Sequence, residues 1–132
     1  MEAIRNAHSI WTYLVLIMGG IAIGQMWRGY RRDEEWRPID QNIGFYFVSA
    51  VDLAILLGVA LWVMQGRWDG NDMLRTMRHP TLMAAAWLAI RFGWLRVRQS
   101  PISSGKFVRS ALFFAIGALM MIAGIFQIYG IF

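Results

Sequence analysis

The chain has 132 residues, of which 58% are hydrophobic, and it carries a formal net charge of +5. Its mean hydropathy is +0.44, more apolar surface than a soluble domain of this length can cover, so the composition is that of a membrane protein. There is no cysteine, which excludes disulfides, thiolate metal centres, iron–sulfur clusters and covalently attached haem, and the basic residues cluster at the ends of apolar runs without the interleaved pattern of a nucleic-acid surface.

The first apolar run, Ser9 to Trp27, reads as a transmembrane helix. Ala22 and Gly24 loosely fit a signal-peptide cleavage site, but the preceding MEAIRN balances one acid against one base, so the segment is read as a retained span. The connector RGYRRDEEWRPIDQN follows, a solvated loop or, alternatively, a docking surface. The second span is placed at Phe45 to Met64 and carries Asp52, the single acid inside a span. Polar residues from Gln65 to His79 separate it from a third, short span, Pro80 to Leu95, which contains Arg91. That span crosses only if Arg91 snorkels or pairs. The turn-rich RQSPISSGK leads to the fourth span, Ser110 to Phe132.

Four spans in one domain of residues 1–132 predict an all-α integral membrane fold, an up-down-up-down four-helix bundle. The N-terminus, the Gln65–His79 loop and the C-terminus hold four cations, Arg5, Arg67, Arg75 and Arg78; the other side holds nine, from Arg28 to Arg109. The positive-inside rule then puts both termini on the non-cytoplasmic side of a bacterial inner membrane. Trp11, Trp62, Trp68 and Tyr129 fit an outer aromatic belt, and Trp27, Tyr30, Tyr46 and Trp94 an inner one. Gly20 and Gly24 form a GxxxG pair, and Ala54, Gly58, Ala84 to Ala86, Gly117 and Gly124 are further small positions suited to close helix contact.

Two histidines stand out because there are only two. His8 precedes the first span and His79 the third; these spans run in the same direction and are diagonal partners, so the two imidazoles share one membrane face and can approach opposite sides of a flat macrocycle. Both faces thin out below the histidine, through Thr12, Val15 and Gly19 on one side and Met83 and Ala86 on the other. His8 and His79 are therefore candidate axial ligands of a haem b, the only route by which they would hold a metal, with Arg5, Arg67, Arg75 and Arg78 as candidate propionate contacts. The plainer reading makes both residues interfacial, with Pro80 as a helix start. Met73, Met77 and Met83 are weaker thioether candidates, more often packing.

Asp52 lies about 10 Å and Arg91 about 6 Å from the same face, and the two are expected to meet across spans two and three. Their expected role is a structural pair; a carboxylate linked to protons or quinone is the sharper alternative. No phosphate loop, nucleophile triad or metal cluster is present in the sequence.

The runs HSIWTYLVL, VDLAILLGVALW and HPTLMAAAWLAI resemble those of small four-span bacterial membrane proteins, and more broadly the chain is similar to b561-type and other small four-helix membrane cytochromes. That resemblance implies a helical bundle and haem b, although such cytochromes carry their ligand histidines within the membrane, whereas His8 and His79 sit at the span edges, which would make any haem shallow. Two functions are expected. The first is an accessory subunit of a respiratory or photosynthetic electron-transfer complex, without catalysis of its own, contacting other integral-membrane subunits, lipid and quinone. The alternative is a small b-type cytochrome with its haem between His8 and His79.

Overall fold

The computed structural model of the chain describes residues 2–70 and 72–130, and of Arg75 the backbone alone. Four helices make up the fold: α1 (Glu2–Arg31), α2 (Pro38–Met64), α3 (His79–Gln99) and α4 (Ser103–Ile128). Among the described residues there is no strand, so the all-helical expectation holds. α1, α2 and α4 are each long and apolar enough to cross a membrane. Every helix outruns its apolar window, because the window marks what hydrocarbon tolerates while backbone hydrogen bonding continues into polar residues whose heads reach water. α1 starts at Glu2 instead of Ser9, and α2 at Pro38 instead of Phe45.

The α1–α2 connection is tight for local reasons. Asp33 takes a left-handed conformation at φ 54°, and the Glu34 N–H returns to the Gly29 carbonyl at 3.0 Å. Pro38 opens α2, where a missing N–H is no loss. Asp40, wholly buried, caps the helix by accepting the Arg37 N–H at 2.9 Å and the Gln25 side-chain amide at 3.1 Å. The connector is also not wholly solvated. Trp36 packs against Phe107 of α4 with ring centroids 5.0 Å apart, and its backbone N–H donates to Ser103 Oγ at 2.8 Å.

In the bundle α1 packs between α2 and α4, and α3 packs closely on α4 but only loosely on α2. α1 and α3 are thus diagonal to one another. The inward stripe of α1 is Val15, Gly19, Ala22, Met26 and Gly29, a helical spacing that points one face at the core. Gly20 and Gly24, the expected GxxxG contact, are instead exposed, with no other residue near either. Moving one residue along a helix turns a side chain by about 100°, and it is the Gly19 register that faces inward.

The core is dense at the end of the bundle that carries the short connectors. Phe47 meets Phe114 edge-on at 4.9 Å, and Trp94 stacks on Phe114 at 6.0 Å. Gly44 makes room for Trp94, since a methyl there would run into the indole, and Gly29 does the same for Phe107. Two tryptophans expected in interfacial belts are therefore structural. Trp94 is buried, and Trp11 is part of the packing with its Nε1 donating to the Ala50 carbonyl at 2.9 Å. Trp27, Tyr30, Tyr46, Trp68 and Tyr129 remain exposed.

Candidate functional site

Toward the opposite end, where the N-terminus, the segment 65–78 and the C-terminus meet, the dense core gives way to a cavity of about 720 Å³. All four helices line it, and both histidines are in its wall. His8 stands six residues inside α1, about 9 Å along the helix from Glu2, deeper than a residue at a helix mouth. Thr12, one turn below, donates its hydroxyl to the His8 carbonyl at 2.7 Å, so its polar atom is spent on its own helix.

Each imidazole is seated over a glycine of the adjacent helix. A β-carbon at Gly58 of α2 would lie 3.2 Å from His8 Cε1, and one at Gly124 of α4 would lie 3.4 Å from His79 Cε1. The sequence suggested helix contact at these two glycines; their place is beside the histidines. The Nδ1 of His8 is shut off from solvent with no well-formed hydrogen bond, although the Ala54 backbone lies beside the ring.

His79 is positioned by an unusual approach to α3. Instead of a helix starting at Pro80, a π-helical turn, Leu74–Arg78, runs directly into α3, and the His79 N–H bonds to the Leu74 carbonyl. The reason lies in Pro80. In a regular α-helix its N–H would bond the Thr76 carbonyl, but proline has none and its ring crowds that carbonyl. The turn widens, and the Trp62 indole N–H takes the Thr76 carbonyl at 3.2 Å. The Thr76 hydroxyl in turn donates to the Arg67 carbonyl, tying the 65–78 segment across the end of the cavity.

The four arginines of this end do not act as one group. Arg5 and Arg67 line the cavity. Arg67 also donates to Gln65 at 3.0 Å and pairs with Asp72 at 3.9 Å. Arg78 borders a separate shallow groove with Thr81, Leu82, Ala85 and Gln127, because its turn of helix faces outward. The side chain of Arg75 lies outside the described residues. Met77 and Met83 are in the cavity wall, while Met73 is exposed and away from it. Tyr13 and Tyr129 join hydroxyls at 3.0 Å at the rim.

Along the loosely packed α2–α3 face, Arg91 meets Asp52 side-on. Its Nε donates to Asp52 Oδ1 at 3.0 Å and its Nη2 to Oδ2. Trp87, which no sequence pattern marked, donates its Nε1 to the same Oδ1 at 2.7 Å and presents its ring to the cavity. The carboxylate thus accepts three hydrogen bonds, the condition under which a charge is tolerated away from water. No group of three or more metal-ligating side chains occurs among the described residues.

Comparison of the chain with protein-family models, curated proteins and solved structures finds no match. The functional reading therefore rests on the cavity and its residues.

Proposed function

We propose that this is a four-span membrane electron-transfer protein that holds one haem b in the cavity, with His8 and His79 as its axial ligands. The observation that carries the reading is that two histidines, the only ones in the chain, reach one cavity from diagonal helices. Its volume lies within the range of cofactor sites, its wall is mainly apolar, and Arg5 and Arg67 supply cations suited to propionates. The buried His8 ring beside the Ala54 backbone has the surroundings of a ligand histidine, whose second nitrogen is commonly held by a carbonyl. Haem iron, when bound, would supply reversible one-electron chemistry. The chain's part is to hold the imidazoles in place, keep water out through the apolar wall, and balance propionate charge. In this reading α3 is the fourth span, and the excess of arginine at the short-connector end places both termini on the non-cytoplasmic side of a bacterial inner membrane.

The test is a reduced-minus-oxidised absorption spectrum of the purified protein, with haem content from pyridine haemochrome. Wild type should contain about one haem per chain, as expected for a bis-histidine site, and His8→Ala and His79→Ala should each lose it while remaining helical and monodisperse. A haem-free wild type, or variants that keep their haem, would overturn the cytochrome reading. The accessory-subunit role, contacting larger membrane subunits and lipid, would then be the function to pursue.

A further inference from the structure

The second polar feature within the bundle is the Asp52–Arg91 pair, and its chemistry is incomplete. A guanidinium carries five N–H donors. Asp52 takes one from Nε and one from Nη2, and among the described residues no other acceptor for Arg91 is present. Three donors are left, and they lie on a side chain that is 45% exposed, beside a carboxylate that is 27% exposed. Donors left unmet in hydrocarbon are costly, so this edge calls for an acceptor that arrives through the lipid.

Depth and charge narrow the choice. Asp52 is fourteen residues from Pro38 and twelve from Met64, about 21 Å and 18 Å along the helix. With α2 spanning a hydrocarbon core of about 30 Å, the pair sits near its middle, about 15 Å from either headgroup layer. A phospholipid phosphate does not reach it. A neighbouring helix offers backbone carbonyls that are already bonded within that helix. Asp52 already balances the arginine charge, so the fitting acceptor is neutral. The surface beside the pair suits a flat apolar molecule: Ile55 and Val59 of α2 and Ala84 and Trp87 of α3 line the cavity along this seam, and Val59 and Ala84 are exposed where it opens.

We propose that the α2–α3 seam binds the head of a membrane-dissolved quinone, one carbonyl oxygen accepting from the outer edge of Arg91 and the ring lying along Trp87. Asp52 is a positioning residue that holds the guanidinium edge outward. The inference is independent of haem, since it uses residues on a different wall of the bundle.

The probe is decylubiquinone, titrated into the whole protein in phosphatidylcholine nanodiscs, with saturable quenching of tryptophan fluorescence as readout. Wild type should saturate, decylbenzene, which lacks carbonyls, should not compete, and Arg91→Gln should weaken binding about tenfold or more, the worth of a hydrogen bond to a charged donor. An azido-decylquinone photolabel on the unaltered protein should attach within 52–59 or 84–91, which decides the matter even where the variant fails to fold. Absence of saturation, equal binding by a folded Arg91→Gln, displacement by decylbenzene, or a photolabel confined to other segments would overturn the proposal.

Discussion

At the residue scale, the cavity depends on what is missing from Gly58 and Gly124 as much as on the histidines. The His8 ring edge has only 3.2 Å to spare against a β-carbon at Gly58, so Gly58→Leu should drive the imidazole out of its place. Haem content should fall at least as far as in His8→Ala, while Gly20→Leu, on the exposed face with open space around it, should leave it unchanged. The intramembrane pair makes a second residue-level prediction. Asp52→Ala strands Arg91 without its counter-charge and should cost about 3 kcal/mol, whereas Asp52→Ala with Arg91→Leu should recover most of that loss, because removing both partners abolishes the unpaired charge. Thermal unfolding in detergent measures both, and a double variant no better than the single would show that the pair is not the source of the cost.

At the element scale, the approach to α3 follows from one ring. Pro80 removes the N–H that would have claimed the Thr76 carbonyl, and Trp62 from α2 supplies the replacement donor. Trp62→Phe keeps the apolar bulk and removes that donor, leaving a carbonyl of a buried threonine unsatisfied, at an expected cost of about 1–3 kcal/mol. Pro80→Ala should act differently. It restores the backbone donor, lets an α-helical turn compete with the π turn, and frees the indole, which near-ultraviolet circular dichroism would report as a changed tryptophan signal. Unaltered stability and spectra in both variants would mean that the indole is not what holds the turn. π turns recur at functional positions in helices, and this one delivers the backbone to His79.

For the whole molecule, packing is unequal from end to end. The short-connector half is filled by Phe47, Phe107, Phe114 and Trp94, while the other half, tied across by the 65–78 segment, surrounds the cavity. The cationic asymmetry predicts which half faces outward, and the absence of cysteine makes the test clean. A single cysteine at Gly70 should react with a membrane-impermeant maleimide in spheroplasts, and one at Glu35 only after permeabilisation. The reverse pattern would invert the proposed topology.

How much was legible in advance divides along the reach of each interaction. By itself the sequence determined that the chain is helical and membrane-like, since apolar run length and arginine placement are local properties read directly from residue order. It also marked His8, His79, Asp52 and Arg91, because an imidazole or a charge is conspicuous in apolar surroundings. It could not choose between the Gly19 and Gly20 registers of α1, tell core tryptophans from belt tryptophans, or separate Arg5 from Arg78. Nor did it mark Trp87, whose bond to Asp52 joins residues thirty-five positions apart. Those choices depend on which helix lies opposite and at what rotation. Such contacts, like the cavity they enclose, exist only once α1 and α3 are diagonal and α2 and α3 stand loosely apart.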